Sequence, residues 1–234
     1  MAITDFDERQ AEIREYHREF GWFYKLLGGL ILVLFGVWIG SQLFADDSGY
    51  NTNLYTELLG IGVTVFILNE LAKRREVRQL QEQLVRNAAS TSNEIAKDAV
   101  HQLRRQGWLT GEKGLLKGKN LRLANLESAK LFGANLSRTN LVSANLSGAD
   151  LLSANLSNAQ LIGAELHGAH LFSVNLGGAN LSQSNLSAAV GIASTSFDKA
   201  TLLPDGSRWT SETDMGRYTN PEHPNFWHPE DGRW

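Results

Sequence analysis

The chain has 234 residues, room for one or two domains, and 42% of them are hydrophobic. Its formal net charge of −3 gives no overall field that would draw it to nucleic acid. It has no cysteine, which excludes disulfides, thiol catalysis and zinc–thiolate sites.

Residues 1–25 form the first segment. Within it, residues 5–20 (DFDERQAEIREYHREF) place Phe6, Ile13 and Phe20 on one side of a short amphipathic helix. Residues 26–45 follow, 20 in a row without a charge, long enough at about 1.5 Å per residue to cross a hydrocarbon core of about 30 Å. Trp22, Phe23, Tyr24 and Lys25 precede this run and suit an interfacial belt. A second apolar run covers residues 53–72, where Glu57 and Glu70 bound an uncharged core of 12 residues. Both acids are expected near opposite interfaces, where a charge costs less than at the centre. Residues 26–72 are therefore predicted to be two transmembrane helices forming an α-helical hairpin. The loop 46–52 has no Lys or Arg, whereas Arg9, Arg14, Arg18 and Lys25 precede the hairpin and Lys73, Arg74, Arg75 and Arg78 follow it. The positive-inside rule then puts both termini on the cytoplasmic side of an integral membrane protein, with the lipid membrane as its first partner. Gly36 and Gly40 make a GxxxG pair suited to helix packing, within the hairpin or between copies, and Gly60 and Gly62 lie in the second run.

Residues 73–110 are predicted to be basic connector helices. The first continues the second apolar run with Val77, Leu80 and Leu84 on a stripe. Thr91 and Glu94 form a capping box for the next, with Ile95, Ala99, Val100 and Leu103 at helical spacing and Gly107 as its C′ residue. Arg74, Arg75 and Arg78 are placed to meet anionic headgroups, and the helices to cover whatever follows them.

In residues 111–190, a leucine falls on every fifth position from Leu116 to Leu186, and most are preceded two residues earlier by alanine, as in ANLSR, ADLLS and ANLSQ. Neither a helix nor a long strand has a period of five; a strict short period means one unit stacked many times. Alternation sends leucine and alanine to one side and Asn, Ser and Lys to the other, with a Gly or Ser corner as the fifth residue. These A[ND]LXX units resemble the pentapeptide-repeat family. The resemblance implies an all-β, right-handed quadrilateral β-helix with about 20 residues per coil. The order of two apolar runs, basic connector, GWL and repeats is similar to that of bacterial membrane-anchored members, and the tail FDKATLLPDGSRW…NPEHPNFW resembles their end segment. A bacterial inner or other internal membrane is the location this implies.

With that coil, residues 20 apart stack, and the position after each leucine sorts into four outward columns. Phe132, Leu152 and Phe172 form one. Val142 and Ile162 lie on the opposite face with Arg122 and Ser182. A contiguous apolar column on a surface marks a contact. It reads either as a docking site for a protein partner or a second copy, or as a seat for the tail or a connector helix. In the position before the leucine, Lys130, Asp150 and His170 form a modest charge ladder.

Residues 191–234 end the pattern and are predicted to cap the open edge through Phe197, Leu202, Leu203, the turn at 204–206 and Trp209, followed by an aromatic tail containing Phe226, Trp227, His228 and Trp234. His223 and His228 are expected to be solvated. No phosphate-binding loop, nucleophile elbow or zinc-protease motif occurs, so no catalytic, cofactor or metal residues are expected and the chain reads as a non-enzymatic scaffold. A subunit of an oligomeric channel, transporter or enzyme complex is the first alternative. DNA mimicry, as in gyrase-protecting pentapeptide-repeat proteins, requires a long acidic rod. Residues 111–190 hold six bases and four acids, a balance of +2, and no nucleic-acid partner is expected.

Overall fold

The computed structural model describes residues 50–229, together with residues 28, 29, 31, 35, 36 and 38. The amphipathic segment 1–25, most of the first apolar run, Gly40 and Trp234 lie outside the described residues. The chain divides into two compact units, Met1–Glu76 and Val77–Trp234.

In the first unit the Phe35 and Trp38 rings stack 5.9 Å apart. Helix α1 spans Tyr50–Ala88, so the expected loop at 46–52 gives way to helix at Tyr50. Leu58, Ile61, Val65, Leu68 and Leu71 are half or more exposed along it. Among the described residues nothing lies within 4 Å of the Cβ position of Gly36, Gly60 or Gly62. Among the described residues no helix is long and apolar enough to cross a membrane, and most of the first of the two expected spans lies outside them. Glu57, Glu70 and the basic run from Lys73 interrupt α1 on either side of its short apolar core.

In the second unit, Leu84 and Ala88 of α1 are buried, while Val77 and Leu80 remain exposed. The expected stripe is thus engaged only at its C-terminal end, where the repeat column covers it. Helix α2 (Asn93–Arg105) starts at Ser92, which makes no side-chain capping bond, in place of the expected Thr91–Glu94 box. Its buried face is Ala96, Ala99, Val100 and Leu103; Ile95 points to solvent, because small residues let the helix lie closer to the coil. The helix closes as expected at Gly107 (φ +70°), with Gly107 N–H donating to Arg104 O at 2.9 Å and Trp108 N–H to Leu103 O at 2.9 Å, the two bonds of a Schellman end.

The repeat forms the column that the leucine period predicts. All fifteen leucines from Leu116 to Leu186 are buried, as are the alanines two residues before them. Single parallel bridges join residues 20 apart, from Asn120–Asn140 to His170–Val190, so each coil has 20 residues and four five-residue sides. Each side closes by a bond such as Ala124 N–H to Leu121 O (3.1 Å), across a turn whose third residue has positive φ. This is the arrangement of a type II turn, which favours glycine there. Six of the fifteen corners are glycine; the other nine, Leu123, Arg138 and Gln183 among them, still hold φ between 54° and 62°. Asparagine before the leucine is explained at the same time. At Asn120, Asn125, Asn135, Asn140, Asn145, Asn155, Asn175, Asn180 and Asn185 the side-chain oxygen accepts the N–H two residues on, at 3.0–3.3 Å. The side chain leaves the core yet satisfies the corner's own backbone donor.

Past residue 190 the register slips. Asn175 pairs with Ser196 and Asn180 with Leu202, 21 and 22 residues apart. The C-terminal segment then covers the last coil with Leu203, Phe197, Trp209 and Tyr218, and helix α3 (Gly216–Thr219) brings Thr219 O to Ala188 N–H at 2.7 Å.

Two core substitutions test this packing in opposite directions. Leu151→Ala opens a cavity at a fully buried site and is expected to cost about 2–5 kcal/mol. Ser184 occupies an alanine position, fully buried, with no hydrogen-bond partner for its Oγ. Ser184→Ala is expected to stabilise the column by about 1–2 kcal/mol in chemical denaturation.

Candidate functional site

The coil register places Phe132, Leu152 and Phe172 in one outward column, one rung apart, each 43–47% exposed. Val190, 43% exposed, continues the same side upward. Apart from Leu123, these are the large apolar residues that the repeat column exposes among the described residues. The opposite face is different: Val142 and Ile162 are half-buried, so the apolar surface concentrates on one side.

Both ends of the column are occupied from within the chain. Arg104 of α2 lays its guanidinium over the Phe132 ring, 3.5 Å from the ring centre. The same group donates to Lys130 O (2.7 and 3.1 Å) and to Phe132 O (2.8 Å), satisfying carbonyls of the exposed first rung. Burial draws the Arg104 pKa down, and the nearby Asp150 carboxylate opposes that. At the other end the Gly191 backbone (φ +84°) passes so close to Phe172 that a Cβ there would meet the ring at 2.6 Å. The connector helix therefore seats against the column, as one of the two sequence readings allows, but covers only its first rung; Leu152 and Phe172 keep their outward faces.

Beside the apolar column stand Lys130, Asp150 and His170, paired in register through their backbones. The ladder is in place, but the expected charge pairing is absent: Asp150 Oδ1 instead accepts Leu152 N–H at 3.2 Å, and among the described residues neither base makes an ion pair with it. Aspartate takes the corner-capping role that asparagine plays elsewhere, which turns its carboxylate toward the backbone.

The remaining sides offer polar groups whose bonding is already committed. His167 Nδ1 lies 2.9 Å from Ser187 Oγ, but Ser187 Oγ donates its proton to Asn185 Oδ1 at 2.7 Å. Glu165 accepts from Asn185 at 2.9 Å. This arrangement has no free hydroxyl proton for a base to take. The side carrying Ser137 is closed at its base by residues 109–114, where Asn135 N–H reaches Leu109 O (2.8 Å) and its side-chain amide Gly111 O (2.8 Å). Among the described residues no group of His, Cys, Asp and Glu is placed to hold a metal ion.

The C-terminal cap contains a cluster that sequence reasoning missed. Tyr218, 2% exposed, donates its hydroxyl to Asp205 Oδ2 at 2.8 Å. Asp205 also accepts from Ser207 Oγ (2.6 Å) and Ser207 N–H (3.0 Å), with Arg217 3.8 Å away. Burial works against ionising Asp205, yet these bonds outweigh it and hold its pKa below the usual value. Burial and the bond to Asp205 push the Tyr218 pKa to about 12. The expected capping residues are there as well: Phe197 stacks on Trp209 at 5.8 Å, and Gly206 N–H closes the turn onto Leu203 O at 2.9 Å. The aromatic tail folds back, with Trp227 edge-on to Tyr218 at 6.2 Å. His223 is not a solvated tail residue; it is drawn to Asp214, 3.0 Å away.

This geometry defines a capped solenoid of stacked short repeats whose sides, not whose ends, face outward. The family model for pentapeptide repeats matches residues 120–151 and 150–187 in eight copies, the stretch that forms the four-sided column described above. Among solved structures, a pentapeptide repeat protein (Rfr23) of the cyanobacterium Cyanothece 51142 is similar at 36% identity, covering 36% of this chain and 60% of that one, with a TM-score of 0.30. The chain thus spans less than two thirds of that relative's length. A pentapeptide repeat protein of Nostoc PCC 7120 is similar at 27% identity over 50% of this chain and 88% of its own, with a TM-score of 0.25. The plasmid-mediated fluoroquinolone resistance protein QnrB1 is similar at 22% identity over 37% of this chain and 48% of its own, with a TM-score of 0.21. No curated protein matches the chain.

Two measurements check the caps. Arg104→Ala leaves two carbonyls without their charged donor and is expected to cost about 1–3 kcal/mol, with Arg104→Lys recovering less than half, because one ammonium cannot span both oxygens. For Asp205, a lowered folded pKa means the stabilisation is full above the unfolded pKa, near 4, and is lost as pH falls through the folded value. The difference in thermal midpoint between wild type and Asp205→Asn should therefore be constant from pH 7 to about 5 and shrink below about pH 4.

Proposed function

We propose that this protein is a non-enzymatic, membrane-anchored scaffold that holds a pentapeptide-repeat column on the cytoplasmic side and docks a protein partner on the Phe132–Leu152–Phe172 side. The observation that carries the reading is that column: three large apolar side chains exposed in register on a surface that is otherwise mostly polar. Anchoring is supported by the exposed apolar residues of α1 between Leu58 and Leu71, by the long uncharged run at 26–45, and by basic residues on the outer flanks of the two runs but not between them.

The two parts of the proposal support each other energetically. Phe132 and Phe172 are two rungs apart, about 10 Å at about 4.8 Å per rung. A patch of that size falls well short of the roughly 800 Å² per partner that a stable interface buries. Such a contact is weak in free solution and gains from confinement of both partners at one membrane, which raises their effective concentration.

Two readouts test the proposal separately. The full chain should pellet with membranes and resist carbonate extraction; release by carbonate would refute anchoring. In native membranes, a photoactivatable crosslinker at position 152 should capture a discrete protein. Phe132→Ser with Phe172→Ser should abolish that capture while leaving the far-ultraviolet circular dichroism unchanged. Capture that survives the double substitution would refute the docking side, and an adduct of twice the chain mass would identify a second copy as the partner.

A further inference from the structure

The C-terminal stretch of α1 carries a feature that the scaffold reading does not use. Arg78, Glu82, Val85 and Arg86 stand at i, i+4, i+7 and i+8, one stripe of the helix. Burial of Leu84 and Ala88 against the column brings that stripe alongside the first coil. Between them lies a surface cavity of about 370 Å³, lined by Arg78, Glu82, Val85 and Arg86 on the helix side and by Leu115 and Lys119 on the coil side.

The charges in this cavity do not cancel. Three bases face one acid, a balance of +2. Glu82 is 3.8 Å from Arg86, at 71% and 69% side-chain exposure, a pair of little strength. Among the described residues, the side chains of Arg78 and Lys119 make no hydrogen bond or ion pair with a protein group. Three bases that one carboxylate does not balance repel one another, and an anion in their midst removes that penalty. Val85 and Leu115 give the cavity an apolar floor, and two guanidinium forks suit the paired oxygens of a phosphate.

We infer that the cavity between α1 and the first coil is a phosphate-binding site, with Arg78, Arg86 and Lys119 holding a phosphomonoester dianion over Val85 and Leu115. At neutral pH a phosphomonoester carries a charge of about −1.5 to −2, which matches the cavity's balance. The same chemistry is offered by a soluble phosphorylated molecule or by the headgroup of phosphatidic acid. The site does not depend on the docking side or on anchoring for its existence.

The full chain in detergent is dialysed to equilibrium against radiolabelled inorganic phosphate at low ionic strength. Saturable binding is expected. Arg86→Gln with Lys119→Gln should weaken it by about tenfold or more, and Arg78→Gln alone should also weaken it, whereas Arg138→Gln on the repeat column should not. Vesicles containing phosphatidic acid, compared with vesicles of phosphatidylcholine alone, distinguish the source: displacement of the label by phosphatidic acid identifies a headgroup, and its retention identifies a soluble ligand. The inference is overturned if neither phosphate nor phosphatidic acid binds saturably. It is equally overturned if both the double variant and Arg78→Gln bind as the wild type does. Chain released from membranes by carbonate that still binds phosphate would defeat the anchoring proposal and leave this site standing.

Discussion

Everything in the repeat domain follows from one packing constraint: a leucine must reach the same central axis every five residues. Four such residues complete a coil, so each leucine sits over the one 20 positions earlier, and the backbone between them has no room to choose another register. The constraint is strong enough to hold Leu123, Arg138 and Gln183 in a left-handed conformation that costs an L-residue about 1–2 kcal/mol. Burial of fifteen leucines outweighs such corners, and asparagine lowers their cost further by accepting the N–H that the turn leaves unpaired.

That constraint also decides what was legible in the residues alone. The period gave the inward set; the 20-residue coil came with the family resemblance, and the outward columns followed from the two together. What spacing does not contain was missed. The buried face of α2 runs through Ala96 rather than Ile95, since closeness to the coil rewards the smaller side chain. The charge ladder at Asp150 did not anticipate that a carboxylate before a leucine turns to its own backbone. Val142 and Ile162 share the outward position of Phe132, yet their shorter side chains lie half-buried, so the two faces are unequal. Tyr218 stands in a segment without periodicity, and nothing in its neighbours announces that it closes the last coil. The register slip after residue 190 has the same origin: once the leucines cease, coil length is set by the cap.

Both ends of the column are closed from within the chain. A β-helix with open ends presents unpaired strand edges, which invite further stacking. Here Arg104 and Asn93 satisfy carbonyls of the first coil, and Pro204 and Thr219 supply carbonyls to N–H groups of the last. Stacking is thereby closed off, and the sides are the surface the column leaves open. Of the four sides, one has its base closed by residues 109–114, one presents hydroxyls and amides that are bonded among themselves, one carries Arg122 with the half-buried Val142 and Ile162, and one presents Phe132, Leu152 and Phe172. The leucine ladder spaces those three rigidly, so the docking proposed above would need little ordering of this side. The basic stripe of α1 meets the column at its first coil, away from that template's outer rungs.

The natural lack of cysteine allows the ladder itself to be measured. Ser147→Cys with His167→Cys places two thiols on adjacent rungs of one side, about 4.8 Å apart along the column and within reach of a disulfide. Ser147→Cys with Ser157→Cys places them half a coil apart, on opposite sides of the leucine core. Under mild oxidation the account predicts an intramolecular disulfide in the first pair and none in the second, seen by mass spectrometry of the folded chain. Equal crosslinking of the two pairs, or crosslinking of the second alone, would contradict the 20-residue coil and every surface assigned from it.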